Sequence, residues 1–481
     1  MKPFKAHVVA LAMLLIMTLL LTACGTENAT STSVPAPAAT ATTAPAPAAT
    51  NTAATMKGET PTVGATTGGS LADLAAAGIK PDASAKGKLE FFSWWTAGGE
   101  ADGKNDILNL FKQLYPGVQV VDAAVAGGGG DKAKAVLKTR IQGNDPPDTF
   151  QVHGGPELLQ GYVSADKMEP ITKLFTDMNM KSAFPQQLLD MVSVKGEIYA
   201  VPANVHRGNV LFYNKKVFTD NNIKAPTTWD EFYTAAETLK AKGIAPLAVG
   251  GKDTWAVTMV FEDVLLATGG ADNFKALMAG KTQWTDASVV TALTALQKIW
   301  QSKYINADFT ARTWDEAAGQ VLNGKAGMTI MGDWAKGYFQ ANDPNWATDI
   351  GWVPSPGTTG IFKVITDTFG KPKGAKEAAN TDHFLALLGS KVGQVTFNLR
   401  KGSIPARTDV DTSQFDVYMK DAAKDFAAAK SLVGSAPHGS ATNDAFASAL
   451  NTGINTFIAN PADMAAAAKS LQDQAADLLG K

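Results

Sequence analysis

The sequence predicts an α/β protein of two lobes, and three observations carry that expectation. The chain has 481 residues, 45% of them hydrophobic and 18% charged, enough to build two globular cores. From Lys88 onward, strand-like and helix-like segments alternate, the pattern of a parallel sheet with crossover helices. Between them, Gly196 to Lys216 reads as two strands interrupted by polar groups. Ile198, Ala200 and Pro202 alternate, Asn204, His206 and Arg207 cluster, and Val210 to Tyr213 forms a second strand-like run. That stretch suits a chain that leaves one lobe, lines a cleft and enters the other. On these residues alone, a hairpin within one core fits as well.

The formal net charge of -2 leaves no electrostatic footprint for nucleic acid. At the N-terminus, Lys2 and Lys5 precede the apolar run Val8 to Leu21, which closes on Leu21-Thr22-Ala23-Cys24. A basic region, an apolar run and small residues before a cut are the marks of a secretory signal, placed at residues 1–23. The run is short for a membrane span, which needs about 20 apolar residues. LTAC resembles the lipobox of bacterial lipoproteins, which implies acylation of Cys24 and a lipid anchor in the cell membrane. Cys24 is the only cysteine, so no disulfide forms within the chain. Residues 24–86, rich in Ala, Thr, Pro and Ser, are expected to form a disordered tether because they hold few large apolar groups to bury. A flexible coil of about 60 residues reaches on the order of 45 Å.

In the body, a strand from Lys88 to Ser93 ends at Trp94 and Trp95, and small residues lead to Glu100. A helix (Asn105 to Leu114), a strand (Val118 to Val125), the glycines Gly127 to Gly130, a helix (Lys132 to Gln142) and a strand (Thr149 to His153) follow. Ligands of such sheets bind beyond the carboxyl ends of the strands, where Trp94, Trp95, Gln151 and His153 fall. The glycine run lacks the GxGxxG spacing and the AGKT at Ala279 to Thr282 lacks its upstream glycine, which excludes the common nucleotide-binding loops. Thr228 caps a helix running to about Lys242, a buried strand covers Pro246 to Val249, and Trp255 sits at the next strand-helix junction. Helices are expected over Thr258 to Ala267, Phe274 to Ala279, Ser288 to Ser302 and Trp314 to Asn323. Two more short strands end in polar groups: Gly327 to Trp334 in Asp333 and Trp334, and Phe362 to Gly370 in Asp367. Lys401 opens the loop that runs to Arg407, and His438 lies in a turn that breaks an Ala-rich helical region from Phe415 to Leu479.

The motifs YNKKVF (Tyr213 to Phe218), PTTWDEF, GKAGMTIMGDW and KGSIPAR together resemble the family 1 extracellular solute-binding proteins of bacterial ABC sugar importers. Within that family, EFFSWW, AVLKTR, DPPDTFQVH, VPANVHRGNV and PSPGT are similar to the monosaccharide-binding receptors for glucose, galactose or mannose. The resemblance covers the chain from Lys88 onward. It implies a two-lobed, periplasmic-binding-protein-like (type II) α/β fold with three interlobe crossovers near Val201 to Leu211, Met328 to Gly332 and Val364 to Thr368. The expected first lobe is 87–202 plus 332–364, and the second is 203–331 plus 365–481. The same resemblance implies an extracytoplasmic monomer that closes on a monosaccharide and hands it to ABC permease subunits, with no cofactor, no metal and no catalysis.

A pyranose offers an apolar face for aromatic stacking and a rim of hydroxyls that donate and accept hydrogen bonds. Trp94, Trp95 and Trp255 can supply the stacking surface. Glu100, Asp333 and Asp367 can accept, Lys401 can donate, and Gln151, His153, Asn204, His206 and His438 can do either. By resemblance, Trp95, Gln151, His153 and Asp333 lead, with Lys401 and His438 next. Each has a plainer role: one of the adjacent tryptophans belongs in the core, Asp333 can cap the helix after it, Asp367 can brace a hinge, and Lys401 can be a solvated turn residue. The extra small residue before Glu100 leaves its placement open. Trp229, Trp300, Trp314 and Trp352 are expected in cores or on lobe surfaces. A glycoside hydrolase also suits carboxylates and tryptophans in a cleft, but no GxSxG, HExxH or Cys/His metal spacing is present. An oligosaccharide or polyol receptor of the same fold is the other reading; a phosphorylated ligand would want more cleft arginines than Arg207 and Arg407.

Overall fold

The computed structural model describes residues 69–127, 130–461 and 463–480. The signal, Cys24 and the tether as far as residue 68 lie outside the described residues. The tether expectation also reached 69–86, and there the structure differs. Ser70 caps a short helix, Leu71–Ala76, through a reciprocal bond with Asp73, and Leu74 and Ile79 are buried against the first lobe. Their apolar side chains offset the cost of ordering that the Ala/Thr/Pro stretch cannot.

The first lobe is built on a sheet in which Gln119–Asp122, Lys88–Phe92 and Thr149–His153 run parallel, as the alternation predicts. Asp367–Pro372 then pairs antiparallel with Thr149–His153, and Met168–Glu169 and Ala200–Pro202 pair with Asp367–Pro372. KLEFF alternates so that Leu89 and Phe91 face one layer of helices. The second sheet is ordered Ala245–Leu247, Ala326–Met331, Val210–Asn214, Ile350–Pro354. AGMTIM is buried at every position, which is why it reads as an unbroken run of small and apolar residues. Helices Thr254–Met278, Ala287–Gln301, Asp444–Ala459 and Met464–Leu479 cover this lobe; the first merges the two expected helices across a break at Gly270 (φ 76°).

The pivot stretch divides as its pattern suggests, with Ala200–Pro202 in the first sheet and Val210–Asn214 in the second. His206–Arg207 lies between them in a separate ribbon, pairing with Ile361–Ile365, which pairs with Ser431–Val433. His206–Arg207 and Ile361–Ile365 each belong to a passage between the lobes, and the segment after Lys401 joins them through a bridge from Ile404 to Val205; Ser431–Val433 comes later, after a helix, Val417–Ala428, whose Tyr418 already packs on Phe212 and Trp352 of the second sheet. The crossover expected at Met328 to Gly332 is therefore displaced: that run is an interior strand of the second sheet, and the third passage follows the helix Lys391–Lys401. The lobe boundaries change with it. Ile350–Pro354 pairs in the second sheet rather than the first, and Asp367–Pro372 with the helices Ala378–Gly389 and Lys391–Lys401 joins the first lobe rather than the second. Strand partners are long-range choices that local periodicity does not encode.

Beneath the ribbon, Lys363 on the middle strand donates to Glu262 at 3.1 Å and to Asp263 at 2.7 Å, all three fully buried on or against helix Thr254–Met278. Among the described residues, no helix is long and apolar enough to cross a membrane.

Candidate functional site

The strand ends and helix starts of both lobes converge on one cavity. It is lined by Trp94, Glu100, His153, His206, Trp255, Trp314, Trp334, Ile365, Asp367, Lys401 and His438, and its empty space, open mouth included, is about 350 Å³.

The tryptophans come from separate elements. Trp94 ends the first strand, and Gly130 opposite it must be glycine: its φ is 110°, and a Cβ there would stand 3.0 Å from the Trp94 ring. Trp255 occupies the first turn of helix Thr254–Met278, and Asp253 before it accepts from the backbone N–H of Trp314 at 2.9 Å, tying two walls together. Trp334 begins the helix Trp334–Asn342 and packs on His438 and Trp255 at centroid distances of 5.0 and 6.0 Å. Among the described residues, the buried indole N–H of Trp255 has no hydrogen-bond partner.

Trp95, expected to lead the site, points the other way. It is 1% exposed and packs among Phe91, Phe369 and Phe397 in the first core. Successive strand side chains face opposite sides, and the pleat gives the cavity to Trp94.

The polar wall is a network centred on Asp367. Gln151 donates to its Oδ1 and Asn204 to its Oδ2, each at 2.7 Å, and the Asp367 N–H donates back to Asn204 Oδ1 at 2.8 Å. Gln151 also accepts from the Trp94 N–H at 3.1 Å. Gln151 and Asn204 thus stand behind the cavity, holding Asp367 and Trp94. Burial opposes ionisation of Asp367, but His206, Lys401 and His153 outweigh it and hold its carboxyl well below the ordinary range.

Asp333 is likewise behind the wall rather than in it. Its carboxylate is completely buried, engaged by His206 Nδ1, the Arg207 N–H at 3.0 Å and the Tyr418 hydroxyl at 3.2 Å. It makes no side-chain cap to the helix that follows it. Burial and the Lys401 ammonium push the His206 pKa down, and the Asp333 carboxylate reverses them to a net rise. Lys401 Nζ sits 3.0 Å from His206 Nε2 and donates to Glu100 at 2.7 Å, so Glu100 does reach the cavity rim. The backbone brings them together through Gly402, which ends the helix at φ 94° and would place a Cβ 2.7 Å from the Gly337 nitrogen.

His153 Nδ1 is bonded to Glu157 at 2.8 Å, and Lys134 holds the same carboxylate oxygen at 2.9 Å. Burial raises the Glu157 pKa, but Lys134 and His153 overcome it and bring it down to about 2. His438 Nδ1 faces the Ser435 hydroxyl at 3.1 Å; burial, His153 and Lys134 depress its pKa well below the usual value, so the ring is neutral.

Trp314, Trp334 and Ile365 also line the cavity; Trp314, expected in a core or on a lobe surface, is corrected here, and neither Trp334 nor Ile365 was a candidate for ligand contact. Trp334 had a signal, an indole at a strand end beside an acid, whereas Trp314 follows a capping Thr313 like any helix-opening residue. Among the described residues, no group of three His, Cys, Asp or Glu is placed to hold a metal ion.

Residues 85–395 match the family model for the bacterial extracellular solute-binding protein. The chain belongs to that family. Among its relatives, an uncharacterized ABC transporter extracellular-binding protein of Pyrococcus horikoshii is 36% identical to this solute-binding protein over 82% of the chain and 88% of the relative. A probable sugar-binding periplasmic protein of Brucella suis is 31% identical over 79% of the chain and 91% of the relative. A glucose-binding protein of Saccharolobus solfataricus is 25% identical over 61% of the chain and 56% of its own length. Among solved structures, the solute receptor AcbH, described as exclusive for β-D-galactopyranose, superposes with a TM-score of 0.74 at 21% identity over 82% of this chain and all of that one. A maltose-bound MalE3 of T. maritima superposes at 0.68 with 19% identity, over 82% of this chain and all of its own. Both structures share the two-lobed α/β architecture.

Proposed function

We propose that this solute-binding protein captures one unmodified aldohexose, glucose, galactose or mannose, in the interlobe cavity and presents it to the permease of an ABC importer. One observation carries the reading: a small cavity combines several indole walls with a rim of carboxylates, imidazoles and one ammonium that are already hydrogen-bonded to one another. A sugar ring stacks its C–H face on such walls, and its hydroxyls meet preorganised, charge-assisted partners on the rim. The sugar-binding names of the Brucella and Saccharolobus relatives support the same ligand class. The rim pairs Lys401 with Glu100 and leaves no cluster of arginines for a phosphate. The role is capture rather than catalysis: Asp367 and Glu100, the carboxylates lining the cavity, are bonded to fixed partners instead of being held as a free acid and base.

Isothermal titration of the purified chain with glucose, galactose, mannose, xylose, maltose and glycerol phosphate, followed by product analysis, tests this. A one-to-one heat with an aldohexose and no cleavage is expected. Heat only with the pentose or the disaccharide, or any hydrolysis product, would sink the hexose reading. The anchor is part of the same proposal: Cys24→Ser is expected to move the protein from the membrane fraction to the soluble one, and retention on the membrane would overturn lipidation.

A further inference from the structure

The cavity histidines share a feature that their positions in the sequence do not explain. His153 and His206 each turn Nδ1 toward a buried carboxylate, Glu157 and Asp333. Among the described residues, His438 has no carboxylate bonded to it. Its Nδ1 meets the Ser435 hydroxyl at 3.1 Å, and that hydroxyl lies 2.9 Å from Glu262 Oε2. Glu262 is fully buried, on the helix that also carries Trp255. Its other contacts are donors: the Ala436 N–H reaches Oε1 at 2.6 Å, and Lys363 Nζ reaches Oε2 at 3.1 Å.

A serine hydroxyl has one proton and lone pairs to spare. Between an acceptor-only carboxylate and an imidazole nitrogen, that proton goes to the carboxylate, which forms the stronger, charge-assisted bond. The Ser435 oxygen can then only accept from His438, so Nδ1 must carry the hydrogen. Free neutral imidazole favours the other tautomer, with the hydrogen on Nε2, so this arrangement is imposed by the protein.

We propose that Glu262, acting through Ser435, is a positioning residue that fixes His438 as the Nδ1–H tautomer and so presents Nε2 to the cavity as a hydrogen-bond acceptor. Resting on the hexose reading, this makes His438 an acceptor of a hydrogen bond from a ligand hydroxyl, unlike His206, whose Nε2 already faces the Lys401 ammonium at 3.0 Å. The relay starts at Lys363 in the interlobe ribbon and ends at the ligand, five groups in one buried line: Lys363, Glu262, Ser435, His438 and the sugar hydroxyl. A ligand group that can only accept, such as a fluorine in place of that hydroxyl, finds no donor there.

The test reads the tautomer directly. The purified chain, labelled with ¹⁵N-histidine, gives long-range ¹H–¹⁵N correlations whose pattern distinguishes Nδ1–H from Nε2–H, and loss of one set in His438→Asn assigns it. Wild type without ligand is expected in the Nδ1–H form. Ser435→Ala, which leaves Glu262 bonded to Lys363, is expected to shift His438 toward Nε2–H and to weaken D-glucose or D-galactose binding about tenfold, the scale of one lost hydrogen bond. Ser435→Thr, which keeps the hydroxyl, should restore both. An Nε2–H ring in wild type, or an unchanged tautomer in Ser435→Ala, would overturn the relay. The two readings fail separately: no heat with any hexose while the Nδ1–H form persists defeats the ligand assignment and leaves the relay standing.

Discussion

Trp94 and Trp95 are adjacent and chemically identical, yet one faces the cavity and the other stacks with three phenylalanines. Truncating Trp95 is therefore a folding lesion, expected to cost about 3–5 kcal/mol in urea unfolding, whereas Trp255→Ala should weaken sugar binding by about tenfold or more, about 1.4 kcal/mol. Equal stability of Trp95→Ala and wild type would remove it from the core; unchanged affinity in Trp255→Ala would remove that indole from the site. The sequence shows that strand ends carry the site and that Trp94, Glu100, His153, His206, Trp255, Asp367, Lys401 and His438 are candidates, all of which line the cavity. It does not show depth. Gln151, Asn204 and Asp333 have the same chemistry as the lining residues and differ in standing one layer behind them, Gln151 and Asn204 on Asp367 and Asp333 on His206, a depth set by neighbours distant in sequence. Glu157 belongs to this hidden layer as well. Its folded pKa of about 2 lies below the ordinary value of 4.5, so its contribution to stability is complete above pH 4.5 and is lost as the pH falls toward 2. Glu157→Gln should flatten the acid limb of a melting-temperature profile in that window, a contribution on the order of 3 kcal/mol; an unchanged limb would argue against the Lys134–Glu157–His153 chain.

Among the elements, the helix Lys391–Lys401 shows how a backbone choice places a side chain. Gly402 terminates it in a left-handed conformation and packs on Gly337, setting Lys401 between Glu100 and His206. Gly402→Ala adds left-handed strain of about 1–2 kcal/mol and a collision with backbone, so melting temperature and sugar affinity should fall together; a variant with both intact would show that the turn does not position Lys401. Most helices and strands were readable because their periodicity and caps are local, Thr228 and its reciprocal Glu231 among them. The helix Leu71–Ala76 is not legible in the sequence because two leucines and an isoleucine at the end of a long Ala/Thr/Pro stretch make too short an apolar pattern to set a period. Sheet membership escaped for a different reason. Asp367–Pro372 is two-sided and buried wherever it lies, and only its partner strands, more than 160 residues away, decide the lobe.

For the whole molecule, the charge triad under the ribbon sets a stability threshold. Lys363→Met leaves Glu262 and Asp263 buried together without their cation, a loss of about 3–5 kcal/mol by denaturant titration. A variant as stable as wild type would mean that the triad is dispensable. The ribbon itself carries a further implication. The passages at His206–Arg207 and Ile361–Ile365 pair with each other, and the one after Lys401 is bonded to the first where the Val205 N–H donates to the Ile404 carbonyl at 2.8 Å, so the three are expected to bend together. Fluorescent labels placed one on each half should then report two distances and no third, with ligand changing their occupancy and leaving the distances as they were.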